Sequence, residues 1–267
     1  MAHRPQKDIR TFPGFGILAA LAIVFLYAPI TFLIFYSFNS GDSVSVWSGF
    51  SIRWYQKVVA NTDIQVAAIN SLLIATVAAT VATVLAMGAA LATTRSRRIK
   101  NTGSVLAILT LPLMVPEIVS AVSTLVLFVT IGLKLGMITV LLAHTVFCIP
   151  FAYLPLKARL EAMDESLEDA ASDLYATSVQ AFRFVTLPLL LPGVMSGFLL
   201  AFIISLDDFI ITSMVAGPSA TTLPIYIYSM LRLGITPQVN AISTILIGVS
   251  TIIVLTSAIL GRTRKTQ

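Results

Sequence analysis

Long apolar runs separated by short polar segments dominate the chain, and these runs hold only three acidic residues. Each run is 22 to 29 residues long. A helix needs about 20 apolar residues to cross the roughly 30 Å hydrocarbon core of a bilayer. The pattern therefore predicts an all-α membrane protein with six transmembrane helices, at residues 15–38, 64–92, 104–131, 135–156, 189–216 and 238–261.

The composition excludes most other classes of protein. Hydrophobic residues make up 57% of the chain and charged residues 11%, against roughly 45–50% and 25% in soluble domains. The longest polar segment, 157–188, has 32 residues, whereas a nucleotide-binding or catalytic domain has about 100–150. The single cysteine and two separated histidines match no metal-site pattern. We therefore expect no enzyme, no catalytic residue, no metal and no cofactor on this chain, with any ATP and Mg²⁺ bound by a separate ATPase.

The lysines and arginines are distributed unevenly between the two sides of the predicted bundle. Thirteen lie in one set of segments, and only Arg53, Lys57, Lys134 and Arg232 lie in the other. Positive charge marks the cytoplasmic side of a membrane protein. Both termini are therefore predicted to be cytoplasmic, and the charge needs no nucleic-acid partner to explain it. The basic segments are 1–14, 93–103, 157–188 and 262–267.

Small residues and prolines indicate how the helices pack. Alanines recur at every fourth position from Ala78 to Ala90, and Gly193 and Gly197 have the same spacing. Such stripes allow close contact between helices in lipid. Prolines remove backbone donors and favour kinks or breaks, and pairs of them occur in or directly before three of the predicted spans, at positions 112 and 116, 150 and 155, and 188 and 192.

The 157–188 segment, called here the 157–188 loop, has the pattern of an amphipathic helix. Apolar residues recur at spacings of three and four from Leu160 to Leu174, and acidic residues occupy the other face. A second, shorter helical piece with Phe182 and Val185 follows, before Leu187 and Pro188 re-enter the membrane. An apolar edge facing the cytosol is typical of a surface that binds a partner's groove. The alternative is a solvated surface helix without a partner.

The same loop resembles the "EAA" loop of ABC-importer permeases, Glu-Ala-Ala-x3-Gly-x9-Ile-x-Leu-Pro. Asp169 and Tyr175 replace the usual Glu and Gly. If that Gly has a left-handed backbone, Tyr175 would be strained by roughly 1–2 kcal/mol. The resemblance implies that the loop is a coupling helix that docks into an ATPase subunit. The residues expected at this contact are Leu167, Asp169, Ala170, Ala171, Leu174, Tyr175, Ala176, Phe182, Val185, Leu187 and Pro188.

Further short segments resemble the permeases of polyamine (spermidine/putrescine) ABC importers, among them 27–29, 36–40, 53–55, 116–119 and 205–208. This resemblance implies a type I ABC-importer-like permease fold in the bacterial inner membrane. It also implies a heteromeric assembly with a sister permease, two ATPase subunits and a solute-binding protein. The expected function is ATP-driven polyamine import by alternating access.

The three acidic residues in the apolar runs are Glu117, Asp207 and Asp208. A charge at mid-membrane costs roughly 2.5–3.5 kcal/mol, so such residues are functional candidates. Glu117 is predicted 13 residues into its helix. No Lys or Arg lies in the runs, so we expect these acids to lack a basic partner in this chain and to attract a small cationic substrate. The alternative for Glu117 is a structural hydrogen bond.

Aromatic residues near the outer surface are a second candidate group. Trp54 and Tyr55 lie in a short amphipathic piece of the 39–63 segment. They could contact the substrate by cation–π attraction, or anchor the chain at the interface with lipid. His144 and Cys148 are predicted to be packing residues.

Two other functions stay open. The same kind of importer could carry gamma-aminobutyrate or another amino compound. The chain could also be a secondary transporter that acts alone, although the residue spacing within the 157–188 loop argues against this function.

Overall fold

The computed structural model describes residues 13–95, 101–234 and 236–263, so most of both predicted cytoplasmic termini lies outside it. The described residues are helical apart from turns, connecting segments and one isolated bridge between Asn39 and Phe50. The helices are α1 (Pro13–Tyr36), α2 (Arg53–Ala60), α3 (Thr62–Thr94), α4 (Thr102–Met114), α5 (Glu117–Thr130), α6 (Met137–Glu161), α7 (Ser166–Asp173), α8 (Ser178–Ala181), a π-helical turn (Phe182–Thr186), α9 (Leu187–Asp207), α10 (Ile210–Val215), α11 (Leu223–Leu233) and α12 (Pro237–Thr263).

The helices divide into two compact units. The first contains residues up to Ala60 together with Met230–Val249, and the second contains Asn61–Ser229 together with the end of α12. Among the residues that the structure describes, four helices are long and apolar enough to cross a membrane. They cover Gly14–Tyr36, Thr62–Thr94, Met137–Glu161 and Ser178–Asp207, and a bent pair, α4 and α5, makes a fifth candidate.

The predicted span 104–131 is not one continuous helix. It consists of two helices, α4 and α5, that meet at an angle of 103°. Val115 between them has an extended backbone and precedes Pro116, as expected because proline disfavours the helical conformation of the residue before it. Glu117 is consequently the first residue of α5 and does not lie 13 residues into a helix.

The predicted helix 189–216 also differs from the structure at both ends. The observed helix starts upstream of residue 189, because α8, the π-helical turn and α9 form one apolar helix from Ser178 to Asp207. The wider π turn closes with a hydrogen bond from the Leu187 N–H to the Phe182 carbonyl, so Pro188 does not begin the helix. The observed helix ends at Asp207, before the predicted end at residue 216, and α10 follows after a two-residue break.

The core of the second unit confirms the predicted small-residue packing. Ala78, Ala82, Ala86 and Ala90 on α3 are completely buried. A Cβ atom placed on Gly197 would lie 2.8 Å from the carbonyl oxygen of Ala152 on α6. This close approach of α9 to α6 is the contact that small residues permit in a membrane protein. Pro150 and Pro155 lie inside α6, which nevertheless runs as one helix.

Candidate functional site

An acidic pocket of about 500 Å³ lies in the second unit. Glu117, Asp207 and Asp208 all line it, so the structure brings together the three acidic residues predicted from the apolar runs. The remaining lining residues are apolar and include three aromatic rings: Phe147, Phe151, Ile203, Ile204, Phe209 and Ile210.

The two helix breaks position these acids. Glu117 begins α5 directly after the break at Pro116, and Asp208 lies in the break between α9 and α10. The Asp208 carboxylate accepts hydrogen bonds from the backbone N–H groups of Thr212 at 2.8 Å and Ile211 at 3.4 Å. It therefore caps α10, where the helix dipole favours negative charge. Broken helices at membrane depth are expected beside protein or a cavity, and here they border the pocket.

His144 on α6 contacts this site, although the sequence suggested no role for it. Its ring is buried, with Nδ1 2.7 Å from Ser205 Oγ and Nε2 2.8 Å from Thr212 Oγ1. Nε2 also lies 3.2 Å from Asp208 Oδ1. The prediction that the acids lack a basic partner in this chain is therefore wrong for Asp208. The available signal was one imidazole within a long apolar run.

The hydrogens in this network can be assigned by counting donors. With Asp208 ionised, its Oδ1 can only accept, so the Thr212 hydroxyl 2.8 Å away donates its single hydrogen to it. The Thr212 oxygen must then accept from His144 Nε2, which carries a proton. The remaining nitrogen, Nδ1, forms a hydrogen bond with the Ser205 hydroxyl.

Glu117 and Asp208 line the same pocket and are close enough to interact electrostatically, and Asp207 adds to the negative potential around Glu117. Two carboxylates this close repel each other unless a cation or a proton lies between them. Beside aromatic rings, which attract cations over their faces, this arrangement is suited to a small cation with an apolar stem.

The structure places the outer aromatic candidates within the first unit. The Trp54 ring is 4% exposed, and its indole N–H donates to the Asn39 carbonyl at 2.8 Å. Arg53 and Lys57 lie over the same ring at 4.5 and 4.4 Å. The Tyr55 hydroxyl is 2.6 Å from Ser37 Oγ. Both side chains already have partners in this unit, and a substrate contact stays a prediction.

The 157–188 loop is built differently from the single amphipathic helix predicted for Leu160 to Leu174. α6 continues to Glu161, a turn follows, and α7 begins at Ser166. The Ser166 N–H donates to Asp164 in that turn and lowers the pKa of the carboxyl group. The helix is thus interrupted in the middle of the predicted apolar stripe.

The large apolar side chains of this loop that are exposed are called here the apolar edge: Leu167, Leu174, Tyr175, Val179 and Phe184. The first three belong to the predicted contact. Phe182 and Val185 are half-buried, and Phe184 between them is 69% exposed. Asp169 and Ala170 are exposed, whereas Ala171, Ala176 and Leu187 are half-buried and Pro188 is exposed. The sequence thus missed Val179 in α8 and Phe184 in the π-helical turn.

Tyr175 has the left-handed backbone that was predicted for the family's glycine, with φ of 62°. Its N–H bonds to the Ser172 carbonyl, and the Ala176 N–H bonds to the Ala171 carbonyl. These are the two hydrogen bonds of a Schellman motif, which usually has glycine at this position. The side chain is 97% exposed, so no burial compensates for the strain.

Comparisons with known proteins identify the family of the chain. Residues 82–264 match the family model described as "Binding-protein-dependent transport system inner membrane component". The chain is 40% identical to the putrescine transport system permease protein PotI of Escherichia coli (strain K12), over 87% of this chain and 85% of that protein. It is 42% identical to the spermidine/putrescine transport system permease protein PotC of Haemophilus influenzae, over 89% and 92%.

Solved structures share the fold at low sequence identity. A bacterial ABC transporter involved in the import of the acidic polysaccharide alginate matches with a TM-score of 0.71 and 16% identity, over 93% of this chain and 94% of that one. The MetNI methionine ABC transporter, in an inward-facing conformation, matches with a TM-score of 0.64 and 20% identity, over 76% and 98%. Together with the family model and the curated relatives, these matches assign the chain to the family of inner-membrane components of binding-protein-dependent transport systems.

Proposed function

We propose that this chain is the transmembrane subunit of an ATP-driven importer that carries polyamines such as putrescine and spermidine. The observation that carries the proposal is the acidic pocket, where Glu117, Asp207 and Asp208 meet beside aromatic rings. The names of the PotI and PotC relatives support the same substrate class. The fold is shared with an alginate importer, so the fold alone does not determine whether the substrate is cationic or anionic. The evidence for a cationic substrate is the set of acidic residues in the pocket.

The charge of the pocket favours diamines over amino acids. Among the described residues, those that line it include no lysine or arginine. An ammonium group placed between Glu117 and Asp208 would relieve the repulsion between their carboxylates. The methylene chain of a polyamine would then lie against Phe147, Phe151 or Phe209. Gamma-aminobutyrate would bring its own carboxylate into this negative field, which makes it the less favoured cargo.

The proposed assembly has this chain with six spans and both termini in the cytoplasm. It contains a sister permease, two ATPase subunits and a solute-binding protein. The distribution of lysine and arginine supports the topology, and the family description supports the binding protein. ATP and Mg²⁺ would bind the ATPase subunits.

Coupling would pass through the 157–188 loop. Its apolar edge faces outward on a chain with no nucleotide motif, which suits docking into a groove of an ATPase subunit. Closure of the ATPase dimer would move the loop as a rigid body and switch the helices between outward-open and inward-open states. Asp169, at the position of the family's Glu, would face the same partner.

The test of the acidic pocket is Glu117→Gln, which keeps the shape of the side chain and removes its charge. Uptake of labelled putrescine and spermidine would be measured in cells that lack other polyamine importers. We expect the KM for uptake to rise about tenfold or more, because losing one partner of a desolvated charge pair is costly. Glu161→Gln is the matched control, since it removes an equal charge from an exposed residue paired with Lys157. Unchanged uptake by Glu117→Gln would remove this residue from the path.

A second measurement separates the importer from a transporter that acts alone. The chain would be reconstituted in vesicles with and without the ATPase subunits, the sister permease and the binding protein. Putrescine accumulation that needs ATP and all of these chains supports the proposal. Accumulation by the chain alone, driven by an ion gradient, would replace it with secondary transport.

A further inference from the structure

Arg95, the residue that ends α3, lies where several parts of the 157–188 loop meet. Its guanidinium bonds the carboxylate of Glu165 at 2.9 Å and that of Glu168 at 3.3 Å. It also donates to the backbone carbonyls of Leu160 at 3.1 Å and Met163 at 3.3 Å. One side chain therefore binds the end of α6, the turn after it and α7, and it is only 15% exposed.

Glu168 extends this connection to α9. The same oxygen, Oε1, that faces Arg95 also accepts a hydrogen bond from the Thr186 hydroxyl at 2.9 Å. Thr186 is buried in the π-helical turn directly before α9. Glu168 is thus a bridge between the end of α3 and the start of α9, with its side chain 26% exposed.

α7 depends on this bridge because its own packing is slight. None of its eight residues is buried, so little apolar area holds it against the rest of the protein. The carbonyls of Leu160 and Met163 belong to the last turn of α6 and the turn after it, and Leu160 also accepts from the Met163 N–H at 3.2 Å. Arg95 donates to both carbonyls, and the same guanidinium attaches α7 through two carboxylates.

A nearby ion pair shows what is special about this connection. Lys157 and Glu161 are 3.1 Å apart, one turn from each other on α6. This pair lies within one helix and joins no two elements. The bonds of Arg95 and Glu168, in contrast, connect four elements of the second unit.

We propose that Arg95 and Glu168 are positioning residues that join the 157–188 loop rigidly to the ends of α3, α6 and α9, so that a displacement of α7 reaches the spans. This rests on the proposed function, because the displacement comes from an ATPase partner. Arginine suits this role because its planar guanidinium donates to four acceptors from three separate nitrogens, whereas the ammonium group of lysine has three donors on one nitrogen.

The first test does not depend on transport. Hydrogen exchange of the α7 amides would be measured in the full chain purified in detergent. Arg95→Gln and Glu168→Gln should each raise the exchange rate of these amides by roughly tenfold, because α7 opens locally without the rest unfolding. Glu161→Gln should leave them unchanged. Equal exchange in all variants would overturn the inference.

The second test measures coupling in the reconstituted importer. The number of putrescine molecules carried per ATP hydrolysed should fall roughly fivefold or more in Arg95→Gln and less in Arg95→Lys. The ATPase subunits should still copurify, because the apolar edge is intact. An unchanged ratio, or loss of the ATPase subunits, would overturn the positioning role.

Two features keep the outcome unambiguous. Thr186→Val removes only the hydroxyl donor to Glu168 and preserves the shape of the side chain. If an Arg95 variant fails to fold, hydrogen exchange of the α7 amides in Thr186→Val tests the same connection. If the unmodified importer does not couple putrescine uptake to ATP, the proposed function fails, while the exchange experiment still decides whether Arg95 holds the loop.

Discussion

His144 Nε2 lies 3.2 Å from Asp208 Oδ1, and the Thr212 hydroxyl bonds to both. Through Ser205, the same imidazole connects α6 to α9. His144 therefore holds the break between α9 and α10 in place, and with it Asp208, which lines the acidic pocket. We interpret it as a positioning residue for Asp208.

Replacing His144 tests this interpretation. His144→Phe fills a similar volume and leaves buried hydroxyls without their partner, which should lower the free energy of unfolding by about 1–3 kcal/mol. The KM for putrescine should also rise, because Asp208 loses a donor that orients it. His144→Gln, which keeps a donor and an acceptor, should recover part of both effects. Unfolding in detergent and uptake in cells would be measured.

Cys148 provides the control for this experiment. It lies one turn further along α6, is equally buried, and contacts the Ala201 carbonyl instead of the His144 network. Cys148→Ser should leave the KM for putrescine unchanged. If His144→Phe and Cys148→Ser have the same KM, His144 does not position Asp208.

The contact between α6 and α9 gives a prediction about stability. A Cβ atom on Gly197 would lie 2.8 Å from the Ala152 carbonyl oxygen and 3.3 Å from its Cα. Both are backbone atoms that cannot turn aside, so Gly197→Ala should lower the free energy of unfolding by about 1–3 kcal/mol. Gly88→Ala on α3 is the control, because a Cβ there meets nothing within 4 Å. It should stabilise α3 by about 0.5–1 kcal/mol. Equal effects in detergent unfolding would contradict the close contact.

The sequence predicted much of this architecture because its signals are local. Length and hydropathy predicted the long helices, the spacing of small residues predicted the buried face of α3, and the rarity of acids in the apolar runs identified Glu117, Asp207 and Asp208. Each of these signals reflects the energetic cost of burying a particular type of side chain, and the residue types can be read directly from the sequence.

The site itself could not be predicted to the same extent, because it depends on where helices stop. Pro116 indicated a break but not its angle of 103°, and neither Asp207 nor Asp208 signals the end of α9. Without these breaks, Glu117 and Asp208 would not have been placed in one pocket. The role of His144 depends on contacts with residues 61 and 68 positions away, which no local pattern contains.

The exposed apolar edge gives a prediction about the ATPase partner. Phe184→Asp should reduce copurification of the ATPase subunits by about tenfold, because an aromatic residue in a docking groove typically contributes more than 1 kcal/mol. Phe182→Asp should instead reduce the yield of folded protein, since that side chain is half-buried. Ala162→Asp, in the exposed turn after α6, adds the same charge outside the apolar edge and serves as the control. Full copurification with Phe184→Asp would exclude this edge as the docking surface.

The left-handed backbone of Tyr175 predicts a substitution that stabilises the loop. Tyr175→Gly should relieve roughly 1–2 kcal/mol of strain and cost about 0.5–1 kcal/mol in chain entropy. The net gain should slow hydrogen exchange of the Ala176 amide, which closes the Schellman motif. Leu174→Gly is the control, because Leu174 is also exposed but has φ of −86°. Leu174→Gly adds the entropic cost of glycine without relieving strain, so hydrogen exchange of the Ala176 amide should accelerate. If both variants accelerate exchange equally, the tyrosine is not strained, and the departure from glycine has no cost for the loop.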